Sequence, residues 1–246
     1  MDTENNIHIG TSGWHYNHWL GKFYPEEYSS EQMLPFYRRF FSTVEINNTF
    51  YQMPEENTIQ SWLKTVSDHF SFSVKGSRYI THMKKLNDPK KPVSRFLDKA
   101  RLFNGCLGPI LFQCPPNWQA NPGRLNRFLE TVPDDCRCAM EFRDKSWFSA
   151  DIYSRLRDHG AAFCIYDLSG CISPLEVTAD FIYLRLHGPD EKYKGSYSNQ
   201  ALEYWADKIR TWREQEKEVY CYFNNDHNGY APQNALKLKT MLTGNR

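Results

Sequence analysis

Eight short apolar runs punctuate the chain, at residues 8–10, 43–49, 70–75, 109–114, 137–142, 161–167, 181–187 and 218–224. Each has strand length, and most alternate apolar with polar positions or fill with β-branched and aromatic residues. Between them the apolar period changes from two to that of a helix. Ile59, Trp62, Leu63 and Val66 fall at i, i+3, i+4 and i+7, as do Val93, Phe96, Leu97 and Ala100, and then Leu125, Phe128, Leu129 and Val132. Leu202, Trp205, Ile209 and Trp212 make a further stripe. Each stripe predicts a helix with one buried face. Pro92 and Pro122 stand where a first helical turn begins. Strand and helix alternate about eight times over 246 residues, which predicts an α/β fold, a single (β/α)8 TIM-like barrel over 1–246. Residues 168–180 carry no apolar stripe, so the helix after the sixth strand is expected to be short or missing. An open doubly wound sheet is the alternative architecture. It would place a glycine-rich phosphate loop after its first strand, and Gly10-Thr11-Ser12-Gly13-Trp14 does not fit that fingerprint.

Strand parity adds the first chemistry. Side chains alternate faces along a strand, and the outer face of a barrel strand packs on helices. In 181–187 the apolar set Ile182, Leu184 and Leu186 goes outward, which turns Tyr183, Arg185 and His187 inward. The same rule turns Glu45 and Asn47, Ser73 and Lys75, Glu141 and Arg143, and Tyr222 and Asn224 inward, with Gln113 and Asp167. An ordinary barrel lumen is filled with Val, Ile and Leu, and burying unpaired charge costs several kcal/mol or more. Three acids, three bases and a histidine near the C-terminal strand ends therefore point to a site. Lys75, Glu141, Arg185 and His187 are expected to converge at the C-terminal mouth, lined by Glu45 and Asn224. At least one carboxylate–cation contact should form among them. A structural network, for example Arg185 with Asp167, is the bland reading of the same charges. If they serve function, Arg185→Met or Lys75→Met should cost little stability.

Composition narrows the classes. Thirty Lys and Arg against 29 Asp and Glu give a net charge of +1, which removes any global argument for a nucleic-acid or membrane binder but leaves room for a local patch. Such a patch exists in 76–92, read as a loop, where Arg78, Lys84, Lys85, Lys90 and Lys91 face only Asp88. No apolar run is long enough for a transmembrane helix. Residues 1–7 are polar and lack a signal-peptide layout, and seven scattered cysteines, mostly in apolar runs, suit free thiols; a cytoplasmic protein is expected. No cofactor is expected. Cys136 and Cys138 have no second pair at zinc spacing, and no His-x-His or His-Glu-x-x-His occurs, so no metal is expected either.

Several ordered strings carry a resemblance: Gly10-Thr-Ser-Gly-Trp14, Phe23-Tyr-Pro25, Val44-Glu-Ile-Asn-Asn-Thr-Phe-Tyr51, Lys75 with Ile80-Thr-His82, Gln113-x-Pro-Pro116, Glu141-Phe-Arg143 with Ser146-Trp147, Tyr183-x-Arg-Leu-His-Gly188, and Tyr222-Phe-Asn-Asn225. Together they resemble the YecE-like family, "domain of unknown function 72". The resemblance implies a TIM-like barrel and supplies no reaction.

The candidate catalytic residues are Glu141, Lys75 and His187. Glu141 among cations suits a general base, and His187 a proton shuttle. Glu45, Asn47, Gln113, Arg143, Asp167, Arg185, Asn224, Trp14 and His82 are the candidate ligand-binding residues. Aromatics crowd the expected mouth, namely Trp14, Tyr16, Trp19, Tyr51, Trp118, Trp147, Tyr193 and Tyr197, about half of them as rim residues and the rest as packing. Residues 188–197 read as a lid with Gly195 as hinge. The expected function is an enzyme of hydrolase or lyase type on a small polar or anionic, phosphorylated or sugar-like ligand. The alternatives are a single-stranded nucleic-acid binder and a non-catalytic ligand-binding barrel.

Overall fold

The computed structural model describes residues 6–190 and 193–244. In chain order the elements are β1 (Ile7–Thr11), α1 (Ser30–Tyr37), β2 (Thr43–Ile46), α2 (Glu56–Thr65), β3 (Ser71–Lys75), α3 (Lys90–Ala100), β4 (Leu107–Gln113), α4 (Pro122–Leu129), β5 (Cys138–Glu141), α5 (Ala150–Asp158), β6 (Ala162–Leu168), β7 (Cys171–Ile172), β8 (Phe181–Leu186), α6 (Asn199–Glu214), β9 (Glu218–Phe223) and α7 (Tyr230–Thr243). All eight predicted runs form strands. The four apolar stripes form α2, α3, α4 and α6, and three further helices, α1, α5 and α7, join them. No helix lies between Leu168 and Phe181; the two-residue β7 folds back antiparallel on β6 instead, pairing Ile172 with Asp167. The second run ends at Ile46, because 48–50 turn into a single 3-10 turn. Helix α4 stops at Leu129, short of Val132 and the Pro133 that follows. The stretch 76–92 is not a plain loop. It holds a turn of π-helix at Tyr79–Met83 and the start of α3, and buried Leu86 anchors it.

The chain forms two compact units. One comprises 1–45, 165–173 and 181–246; the other comprises 46–164 and 174–180. In the first, β9 is central, with β1 in parallel on one side (Ile9 opposite Cys221) and β8 in parallel on the other (Leu184 opposite Cys221). Ser12 continues β1 into a parallel bridge with Glu45. Gly10 is required there, since a Cβ would lie 2.3 Å from the Thr43 carbonyl oxygen. Gly13 sits at φ +94, the left-handed region, with the Tyr16 ring against it. These contacts explain the glycines of the Gly-Thr-Ser-Gly string without any phosphate. Helix α6 buries Leu202, Trp205, Ile209 and Trp212, the stripe read from the sequence, and Ser198 caps it by accepting from the Ala201 N–H at 3.2 Å. Each large apolar side chain so buried contributes about 1.5–3 kcal/mol.

In the second unit β3, β4, β5 and the first half of β6 run in parallel, with Gln113 opposite Glu141 and Met140 opposite Phe163. Its core is aromatic: Phe112 meets Phe128 edge-on at 4.8 Å, and Trp62 stacks on Phe72 at 6.3 Å. Asn121 caps α4, accepting from the Arg124 N–H at 2.9 Å, with Pro122 in the first turn as its position predicted.

Candidate functional site

In the first unit the polar strand ends are buried. Glu45 and Arg185 are 0% and 1% exposed, and Arg185 Nη2 donates to Glu45 Oε1 at 2.8 Å. Ser12 Oγ donates to the same oxygen at 2.5 Å, and the Tyr183 hydroxyl donates to Oε2 at 2.7 Å. Burial and the Glu45 charge push the Tyr183 phenol well above its ordinary pKa, so it stays a donor. The expected carboxylate–cation contact thus forms, and Arg185 takes Glu45 where the bland reading offered Asp167. Two residues on, His187 is buried with both ring nitrogens engaged. Nε2 lies 3.5 Å from Arg185 Nη1, and Nδ1 lies 3.1 Å from the Asn224 amide. Asn224 is placed by its own N–H, which donates to the Leu186 carbonyl at 2.8 Å.

Asp167 lies beside this group, its carbonyl accepting from the His187 N–H at 2.8 Å. Burial raises its carboxyl pKa, opposed by hydrogen bonds from Tyr197 and the Gly170 N–H. Its buried Oδ1 has no hydrogen-bond partner among the described residues. The expected lid includes 191–192, which lie outside the described residues. The rest of it is tied down: Tyr193 N–H donates to the His187 carbonyl at 2.7 Å, and Asn225 Nδ2 donates to the Gly195 carbonyl at 2.9 Å.

The second unit presents a more open set. Glu141 is buried and accepts a two-pronged contact from Arg143 through Nε and Nη2. Its other oxygen faces the Cys164 thiol at 3.7 Å. Lys75 Nζ rides 4.7 Å above the Phe50 ring, and His82 meets the same ring edge-on at 4.9 Å. Thr49 locks this corner by donating to the Lys75 carbonyl at 2.7 Å. Burial, with Lys75 and Arg78 adding to it and Glu141 opposing, lowers the His82 pKa below the ordinary histidine value. The ring is therefore neutral at pH 7. Two buried acceptors here, Asn47 Oδ1 and Gln113 Oε1, have no hydrogen-bond partner among the described residues. Buried polar atoms in native proteins are almost always paired, so an orphan calls for an explanation.

The aromatic mouth needs correction. Trp14, Trp19, Trp118, Trp147 and Tyr197 are buried. Trp19 Nε1 donates to the Asp226 carbonyl at 3.0 Å, and Trp147 stacks on Phe142 at 4.4 Å while donating to the Trp118 carbonyl. The Trp14 main-chain carbonyl accepts from the Tyr24 hydroxyl at 2.6 Å. These rings fill the packing around the strand ends, and of the eight only Tyr51 is widely exposed. Sequence reasoning missed Ser12 and Tyr183 as the partners of Glu45 and Phe50 as the platform of Lys75. Parity had already turned Tyr183 inward beside Arg185, which was the available signal. Among the described residues no three His, Cys, Asp or Glu side chains gather as metal ligands, and no helix is long and apolar enough to cross a membrane.

Parallel strands followed by helices, with charged side chains buried at the strand ends in place of apolar filling, define an α/β protein of the TIM-like barrel class. A DUF72 family protein from Thermotoga maritima MSB8 (TM1631) has this fold. Its crystal structure superposes with a TM-score of 0.86 at 30% identity, covering 96% of this chain and 99% of that one. A DUF72 family protein from Enterococcus faecalis V583 (EF0366) gives a TM-score of 0.81 at 20% identity over 96% of this chain and 95% of that one. The UPF0759 protein YunF of Bacillus subtilis (strain 168) is 26% identical, covering 96% of this chain and 94% of that protein. The family model for "Protein of unknown function DUF72" matches residues 8–246, and the chain belongs to that family.

Proposed function

We propose that this protein is an enzyme acting on a small, polyhydroxylated, anionic ligand held at the C-terminal strand ends of the unit built on β3, β4 and β5. The observation that carries this reading is the pair of orphaned acceptors, Asn47 Oδ1 and Gln113 Oε1, in a region that also holds Lys75 and Arg143. Acceptors without protein donors suit ligand hydroxyls, and the two cations suit a carboxylate or phosphate. Glu141, paired with Arg143, serves as the base, and Lys75 steadies negative charge that develops on the ligand. That chemistry is of hydrolase or lyase type. The protein works in the cytoplasm on this reading, which suits seven cysteines that are all free thiols.

Thermal shift across a panel of sugar phosphates, sugar acids and their neutral parents tests the proposal. Anionic sugars should raise the melting temperature and neutral sugars should not, and Lys75→Met should erase the rise. Glu141→Gln should retain the shift and lose turnover. A panel with no shift counts against the proposal, and a Glu141→Gln protein that works as well as wild type makes the barrel a non-catalytic binder.

A further inference from the structure

The second unit carries a basic groove that plays no part in the chemistry proposed above. Between residues 75 and 101 stand nine Lys or Arg and only two Asp or Glu, a net charge of +7, which leaves −6 for the rest of the chain. The near-neutral total therefore hides one concentrated patch. The fold shapes it. Lys91, Arg95 and Lys99 are exposed and fall at i, i+4 and i+8 of α3, so they line one face of the helix over about 12 Å. They line a groove of about 530 Å³ together with Tyr51, Tyr79 and Lys84, whose ammonium pairs with Asp88, the one acid in the lining, at 3.9 Å. Tyr51 is 72% exposed and Tyr79 45%, unusual for rings in so aromatic a protein, where most are core. Arg78 lies 5.7 Å over the Tyr51 ring and holds it beside the cations.

We propose that this groove binds a single strand of nucleic acid, with phosphates along the Lys91–Arg95–Lys99 row and bases against Tyr51 and Tyr79. A cationic track beside exposed aromatic rings is the arrangement by which single strands are bound without sequence preference. A column of cations spaced by one helical turn suits a repeating anion better than a single one. A membrane surface fits less well, because the cations line a groove whose walls include polar Gln52 and Ser77. No base-edge readers stand out, so binding should be tolerant of sequence.

Fluorescence anisotropy with a labelled 20-mer of deoxythymidine tests this. Three phosphate contacts give a log–log salt slope near −2, so affinity should fall about twentyfold between about 50 and 200 mM salt. Lys91→Glu/Arg95→Glu/Lys99→Glu should abolish binding, and Tyr51→Ala/Tyr79→Ala should weaken it at least fivefold while leaving inorganic polyphosphate binding unchanged. Arg95→Gln alone, a mild surface change, should lower the salt slope by about 0.7 and keeps the test open if the triple variant misfolds. The proposal is overturned by the absence of binding at low salt, by tyrosine variants that bind as well as wild type, or by an unchanged slope in Arg95→Gln. Preferential capture of phosphatidylserine vesicles through the same residues overturns it too, since it would assign the groove to a lipid surface.

Discussion

The two buried carboxylate–arginine pairs differ in where along the chain the arginine comes from. Glu45 accepts from Ser12, Tyr183 and Arg185, which reach it from β8 and the end of β1. Glu141 is paired with Arg143, two residues along its own chain and 7% exposed, with acceptors of Asn47 and Gln113 left open in the same unit. In the first arrangement the donors are supplied by residues distant in sequence, and it ties β8 and the end of β1 to β2. The second takes its arginine from the same stretch of chain, with the Cys164 thiol of β6 facing its other oxygen. Similar residue types thus meet in two ways, and what separates them is whether the arginine comes from a distant strand or from two residues along the same stretch of chain.

Four substitutions test that contrast, beginning with the largest effect. Arg185→Met should lose about 3–5 kcal/mol in urea unfolding, because it strands the Glu45 carboxylate in a buried setting. Glu45→Gln/Arg185→Met should recover more than half of that loss; a double variant as unstable as the single would break the argument. Such a loss in Arg185→Met would count against the expectation that Arg185 can be replaced cheaply. Glu141→Gln should lose less, about 1–3 kcal/mol, since the glutamine amide oxygen can still accept from Arg143. A loss as large as that of Arg185→Met would make the two pairs alike. Lys75→Met should change stability by under about 1 kcal/mol, its ammonium being only half-buried over Phe50, yet remove the melting shift given by anionic sugars.

The smallest effect belongs to His82. Its folded pKa lies below the ordinary value of 6.5, so below pH 6.5 the unfolded chain binds more protons than the folded one. Stability should therefore fall as pH drops from 6.5 through the lowered value, and His82→Gln should flatten that slope by under about 1 kcal/mol. An identical pH profile for the variant would remove His82 from the electropositive corner of Lys75 and Arg78.

The elements were legible because their periods are local. Alternation in 181–187 and the four apolar stripes need only backbone geometry and a water–apolar contrast, and they returned the strands and the helices they named. Helices α1, α5 and α7 carried weaker signals. Helix α1 contains Pro35, and α7 buries Ala231, Asn234 and Ala235 among its contacts, small or polar residues that no stripe search weights. Residues 79–83 escaped as a turn of π-helix because their fold depends on Ile80 and Leu86 reaching a core that sequence spacing does not reveal.

By itself the sequence determined the α/β alternation, the thin connection after the sixth strand, and the burial of Glu45, Glu141, Arg185 and His187, since parity fixes which face of a strand each side chain takes. Only the tertiary structure decided who pairs with whom. Arg185 could have met Asp167 or Glu45, and the meeting with Glu45, 140 residues away, was set by strand order and register. The fate of the aromatics was settled there as well. A tryptophan reads alike on a rim or in a core, and its exposure depends on whether another element covers it, as Trp118 covers Trp147.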